Sequence, residues 1–257
     1  MASDGVFRRE NSIAFWIYQI YLWLIIIPLL ILSTAFFVFL GVIVVILWGD
    51  KVAHRTTGVW WARFNSYITP MRVTVLGRQN IQKGQSYVVV SNHQSSYDIF
   101  VLYGWLGIDI KWVMKKELRK VPVFGFAGKM GGNIYIDRSS PKAAYASLEA
   151  AKKKLVEGTS VVILPEGTRS ETGEIGPFKR GAFVLATDLS MPILPVSISG
   201  TRSILPPGTL RLFPGRAVME VHKPISISPE DRDKIDDLVK RIRSIIESGF
   251  ERNLSRA

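Results

Sequence analysis

The pattern of apolar positions divides the chain into two parts. From 13 to 48 the sequence IAFWIYQIYLWLIIIPLLILSTAFFVFLGVIVVILW runs for 36 residues without a charged side chain, flanked by Arg8, Arg9 and Glu10 before and by Asp50 and Lys51 after. A signal peptide has an apolar region of only about 7–15 residues and a small-residue cleavage site, so this segment is expected to stay in the mature protein. As one straight helix it would be about 54 Å long, against a hydrocarbon core of roughly 30 Å. It must therefore tilt, kink or fold back. Pro28 lacks a backbone N–H and disfavours helical geometry at Ile27, which makes it the expected break, ahead of Ser33, Thr34 and Gly41. Basic residues on both flanks favour a two-helix hairpin, arms 12–27 and 29–48, with both ends cytoplasmic; a single kinked span is the alternative. Trp16, Tyr18, Tyr21, Trp23 and Trp48 suit headgroup depth or serve as apolar filler.

After residue 51 the period changes. Over 52–68, Trp60, Trp61, Phe64 and Tyr67 recur at helical spacing and predict an amphipathic helix whose aromatic face packs on a following domain. Short β-branched runs follow at 71–76, 86–90, 110–114, 133–136, 160–164, 193–198 and 217–221, with helical patterns at 95–106, 141–157, 181–189 and 229–250. This alternation predicts an α/β fold with a mixed, largely parallel sheet flanked by helices, preceded by the membrane-embedded hairpin. The expected division is an anchor over 1–51 and one domain over 52–257.

Composition narrows the chemistry. With no cysteine in 257 residues, disulfides, thiolate catalysis, iron–sulfur clusters and cysteine zinc sites are excluded. Three histidines, His54, His93 and His222, leave few candidates for a general base. The balance of 33 Lys+Arg over 21 Asp+Glu, net +12, suits an anionic membrane, an acidic substrate or nucleic acid, but no nucleic-acid module is present. Phosphate-loop, dinucleotide and nucleophile-elbow motifs are missing, and no metal-ligand spacing appears.

Four segments place polar groups or a proline break at the ends of apolar runs, where α/β proteins build sites. In SYVVVSNHQSSYDIF, His93 lies five residues before Asp98. The two can meet only if His93 precedes the helix, with Ser95 or Ser96 near its N-cap. Asp98 would then fix the imidazole tautomer and stabilise the imidazolium. Alternatively His93 satisfies a loop and Asp98 is an ordinary helix-start acid. In GGNIYIDRSSP, Arg138 can clamp a phosphate or pair with Asp137 or Glu149. In SVVILPEGTRS, Gly167 permits close backbone approach, Thr168 can donate, Arg169 supplies charge, and Glu166 can hold Arg169 or read a hydroxyl; an ion-paired turn is the alternative. MPILPVSIS, with Pro192 and Pro195, reads as core or a wall of the site. His54 is expected at headgroups or in solvent, and His222 in a structural role.

In this order and on this scaffold, the four segments resemble the lysophosphatidic acid acyltransferase (PlsC-type) family of glycerolipid acyltransferases, from about Arg72 to Ile225. The carriers are Asn92-His93 through Asp98, Gly132 through Arg138, Glu166 to Arg169, and Pro192 to Val196, with the Lys115 to Leu118 and Val121 to Gly125 stretches between. Tyr135 departs conservatively from a more usual Phe. The resemblance implies that His93 is the general base on the sn-2 hydroxyl of 1-acyl-glycerol-3-phosphate and that Asp98 orients it. It implies that Arg138, Gly167 and Arg169 hold the acceptor phosphate, with Lys115 or Lys116 as further partners, and that Glu166 and Thr168 also belong to the substrate-binding residues. The acyl donor is an acyl-CoA or acyl carrier protein thioester, no cofactor or metal is required, and phosphatidic acid forms at the bilayer, on the cytoplasmic face of the inner membrane in a bacterium. The rivals are glycerol-3-phosphate or another lysolipid as acceptor, or a non-enzymatic, membrane-anchored binder of anionic lipid.

Overall fold

The computed structural model describes residues 13–121, 124–137, 139–140, 142–143, 146–147 and 159–257. The apolar run forms one helix, α1, through Ile13–Tyr21, a π-helical turn Leu22–Ile26 and Ile27–Trp48. The break expected at Pro28, and with it the hairpin of arms 12–27 and 29–48, does not form. The π turn is the physical reason. Ile27 N–H reaches back five residues to Leu22 O, so the wider turn ends as Pro28 enters the first positions of the next α-helical stretch, where a missing N–H is tolerated.

The reversal comes later, at Gly49, whose φ of 85° is left-handed. The next arm, α2, comprises Asp50–Ala53, a second π turn His54–Gly58, and Val59–Ile68. It lies along α1, with Ser33 Oγ donating to Asn65 Oδ1 at 2.6 Å and Trp61 Nε1 to Thr34 Oγ1 at 3.1 Å. The hairpin thus exists, with its turn displaced and its second arm built from the amphipathic segment. The aromatics of that segment split between two faces. Trp61 packs on Phe100 and Tyr103, whereas Trp60, Phe64 and Tyr67 remain exposed.

Only one stripe of α1 is covered. Phe15, Tyr18, Leu22 and Ile26, spaced three and four apart, are buried in the core, and Tyr18 stacks on Phe213 at 6.2 Å. The opposite face exposes Trp16, Leu24, Leu32 and Phe39. The 34 residues Phe15–Trp48 are long and apolar enough to cross a membrane.

Among the described residues the domain is built on seven strands: β1 (Met71–Leu76), β2 (Val88–Ser91), β3 (Asp109–Lys115), β4 (Ile134–Ile136), β5 (Thr159–Ile163), β6 (Ile193–Ser199) and β7 (Gly215–Val221). Each predicted apolar run became a strand. Their order is β1-β7-β6-β2-β5-β3-β4, and every neighbouring pair is parallel except β6 with β7. Among the described residues, the helices after β1 include α3 (Asp98–Trp105), α4 (Phe124–Met130), α5 (Gly181–Leu189), α6 (Thr201–Ile204) and α7 (Ile235–Leu254). Most of the helix expected over 141–157 lies outside the described residues.

Side-chain alternation along the strands feeds two cores. Val89, Val162 and Leu194 face α1 and α3, whereas Val88, Val90, Val161 and Ile193 face α5 and α7. Arg63 Nε donates to Gly104 O at 2.8 Å and ties the hairpin to α3. The parallel strands β2, β3 and β5 end on one edge of the sheet, and the turns leaving that edge carry the candidate chemistry.

Candidate active site

Beyond β2 the Asn92 side chain continues the pairing to β6. Its amide donates to Ile198 O at 2.9 Å and its oxygen accepts from Ile198 N–H at 2.8 Å. The chain then turns before α3, and Asp98, the first residue of that helix, reaches back across the turn. Asp98 Oδ2 accepts from Gln94 N–H at 2.7 Å and Ser95 N–H at 2.9 Å, and lies 2.9 Å from His93 Nδ1. Both readings of Asp98 are therefore realised in one side chain, since it organises the helix start and partners the histidine. Because the carboxylate only accepts, Nδ1 carries the proton and Nε2 is the basic nitrogen. The other oxygen, Oδ1, accepts from Thr201 Oγ1 at 2.5 Å, and Asp98 and Thr201 are both fully buried.

The turn after β5 grips His93 by its backbone. Glu166 Oε1 accepts from His93 N–H at 2.7 Å, Oε2 accepts from Gly176 N–H at 2.9 Å, and Ser170 N–H donates to His93 O at 2.9 Å. Glu166 thus holds the histidine backbone and not Arg169, whose guanidinium goes to Ser96. Burial pushes its carboxyl above the usual range, against the two backbone donors. Arg169 Nη1 donates to Ser96 Oγ at 2.9 Å, on the His93–Asp98 turn. Gly167 has φ of 76°, and Thr168 is exposed.

His93 and Gly167 line a cavity of about 540 Å³. Its walls are mostly hydrocarbon and come from both parts of the chain: Phe37, Val42 and Val45 of α1, Trp61 of α2, Tyr103 of α3 and Trp112 of β3. Lys115 lies on the same lining at the end of β3. Lys116 points elsewhere, into a surface pair with Asp137 at 2.9 Å. Hydrogen bonds from Ser139, together with that pair, hold the Asp137 carboxyl well below its usual range. Arg138 lies outside the described residues. Pro195 sits in the fully buried β6 and belongs to the core.

The other two histidines are structural. His222 Nε2 is 3.1 Å from Ser197 Oγ beneath α7, where Gly249 leaves no room for a Cβ. His54 is not at the surface as expected. It is buried against Tyr103, 3.3 Å from Asp109 Oδ1 but without the alignment of a hydrogen bond. Burial, with Lys111 and Arg55 nearby, pushes its imidazole down to about 3. Among the described residues no group of three or more His, Asp or Glu side chains could hold a metal ion.

Sequence reasoning missed Thr201 and the clamping role of Glu166. Neither partner is local, because Thr201 meets Asp98 across 103 positions and Glu166 meets His93 across 73.

A family model described as Acyltransferase matches residues 72–199. The chain is 35% identical over 181 residues to 1-acyl-sn-glycerol-3-phosphate acyltransferase BAT2 of Brassica napus, covering 69% of this chain and 52% of that protein. It is 33% identical over 174 residues to the 1-acyl-sn-glycerol-3-phosphate acyltransferase of Saccharomyces cerevisiae, covering 66% and 57%. The chain thus spans about half the length of the curated relatives it matches. Among solved structures it is similar to the 1-acyl-sn-glycerophosphate acyltransferase PlsC of Thermotoga maritima, at 25% identity and a TM-score of 0.73 over 92% of this chain and 95% of that one.

Proposed function

The chain belongs to the acyltransferase family, and from that premise we propose that it moves a fatty acyl group from a thioester to the sn-2 hydroxyl of 1-acyl-sn-glycerol-3-phosphate, forming phosphatidic acid. The observation that carries this reading is the His93–Asp98 pair opening on an apolar cavity that can receive an acyl chain. His93 Nε2 takes the proton of the hydroxyl as its oxygen attacks the thioester carbonyl. The tetrahedral adduct collapses, the C–S bond breaks, and the departing thiolate takes a proton from the imidazolium. Asp98 stabilises that imidazolium through Nδ1–H, while its four hydrogen-bonding partners keep it from turning away.

Arg169 and Lys115 are the cations best placed for the acceptor phosphate, and the motif match adds Arg138. Glu166 serves the site by holding His93, and Gly167 by its backbone shape. The donor is a thioester of CoA or of acyl carrier protein. The hairpin of α1 and α2 embeds its exposed apolar and aromatic face in the bilayer, with the domain on the cytoplasmic face. Purified protein in vesicles, offered lysophosphatidic acid, other lysolipids and glycerol-3-phosphate with each donor type, tests the reading; preferred transfer to any acceptor but lysophosphatidic acid would overturn it. Single cysteines at Ser3 and, separately, at Ser255 should label from the same side of sealed vesicles, and opposite accessibility would replace the hairpin with one span.

A further inference from the structure

Lys179 lies outside every segment that the sequence motifs single out. Its backbone N–H donates to Pro165 O at 2.9 Å, which fixes it beside the turn that carries Glu166 and Arg169. Its side chain then crosses Gly167. A Cβ on that glycine would stand 2.7 Å from Lys179 Nζ and 3.4 and 3.5 Å from Cε and Cδ. The absent side chain at Gly167, whose φ of 76° is left-handed, leaves room for the lysine stem. The ammonium is delivered over Gly167, which follows the His93-gripping Glu166 in the chain and shares the cavity lining with His93. Lys179 is exposed and is not one of the residues that line the cavity. Among the described residues no carboxylate pairs with it.

We propose that Lys179 binds a substrate phosphate, that of the lysophosphatidic acid acceptor, together with Arg169. The proposal rests on the acyl-transfer reading above. The acceptor's phosphate is separated from its reacting hydroxyl by only two carbons and an ester oxygen, so the cation that holds it must lie within a side chain's reach of His93. Lys179, whose ammonium packs over Gly167 on the lining that this glycine shares with His93, supplies such a cation. The phosphates of a CoA donor are the other source of the same chemistry, but the long pantetheine arm carries them well away from the thioester.

The test uses the full chain in vesicles with Lys179→Gln and Lys179→Arg beside the unchanged protein. For Lys179→Gln, kcat/KM for lysophosphatidic acid should fall ten- to hundredfold, and the preference for it over an unphosphorylated monoacylglycerol should fall with it. Lys179→Arg should restore most of both. A loss confined to acyl-CoA saturation, and relieved with a phosphate-free acyl thioester, would overturn the assignment to the acceptor. Equal losses with phosphorylated and unphosphorylated acceptors would overturn a phosphate role altogether. Retention of radiolabelled lysophosphatidic acid by detergent-solubilised protein supplies an arm that needs no turnover: weaker retention by Lys179→Gln than by the unchanged protein supports the proposal, and equal retention overturns it. Failure of the unchanged protein to acylate the lipid would count against the functional reading alone.

Discussion

His93 meets Asp98 at 2.9 Å at the C-terminal edge of the sheet, and His54 stands 3.3 Å from Asp109 at the first residue of β3. Both histidines line the same cavity. In the first pair the carboxylate also accepts two backbone N–H groups and a hydroxyl, so its charge is held in place and aimed at Nδ1. In the second, Asp109 receives Thr159 Oγ1 at 3.2 Å, Lys111 is drawn to Asp50 at 2.8 Å, and neither nitrogen of His54 has an aligned partner. Burial holds His54 neutral at about 3 and pushes Asp109 upward. A histidine near an aspartate is thus not yet a catalytic pair; the geometry and the remaining hydrogen bonds of the carboxylate decide.

The sharpest way to break this comparison is to remove each imidazole in turn. His93→Ala should lower kcat by roughly 10²–10⁴-fold with folding and membrane attachment intact, and Asp98→Asn by a similar order, since an amide cannot stabilise the imidazolium. His54→Gln should change kcat far less. Single-turnover acyl transfer separates these outcomes, and comparable losses at both histidines would erase the distinction.

Arg169→Ala comes next. Loss of a charge-assisted phosphate contact of about 1.5–3 kcal/mol should lower kcat/KM for the acceptor about ten- to hundredfold, with little change in donor saturation. Unchanged acceptor kinetics would reduce Arg169 to a tether for Ser96.

Thr201→Val is subtler. It leaves Oδ1 of a buried carboxylate without its hydroxyl donor, at a cost of about 1–3 kcal/mol, and should lower kcat by roughly tenfold while KM stays near normal. Thr201→Ser should recover most of the rate because it restores the O–H. A variant that loses stability but no turnover would show that Thr201 serves only the fold.

The smallest effect concerns stability. A buried base whose folded value lies at about 3, against about 6.5 unfolded, contributes stability that is present above pH 6.5 and is lost as pH falls toward 3, because only the unfolded chain takes up the proton. The slope is at most about 1.4 kcal/mol per pH unit, and the upward displacement of Asp109 opposes it. Urea midpoints between pH 7 and pH 4 should therefore fall less steeply in His54→Phe than in the unchanged protein. Parallel curves would mean that His54 takes up its proton without unfolding.

What could be read from the sequence was whatever has a short period or a local motif. All seven strands were legible because β-branched runs of four to eight residues between polar stops have few alternatives in a soluble domain. His93 and Asp98 were legible because their partnership spans one turn. The break at Pro28 was misplaced because a π turn, invisible to hydropathy, absorbs the proline. His54 was misplaced because its neighbours Arg55 and Thr56 look like surface while its own side chain turns inward. Thr201 and Lys179 left no local signal, since Thr201 meets Asp98 only when the ends of β2 and β6 come together, and Lys179 reaches Gly167 only when the connection after β5 folds back on its own start.

The cavity wall supplied by α1 has a kinetic corollary. Withdrawing an acyl chain from lipid into water costs roughly 0.8 kcal/mol per methylene, or on the order of 12 kcal/mol for a sixteen-carbon chain. On the proposed reading, with the hairpin in the bilayer, a helix that shows hydrocarbon to lipid on one side and to the cavity on the other would let the tail pass between them without meeting water. Encounter would then be governed by the mole fraction of substrate in the membrane surface. Diluting the lysolipid with inert phospholipid at constant total amount should slow the enzyme, whereas diluting the whole vesicle suspension should hardly matter.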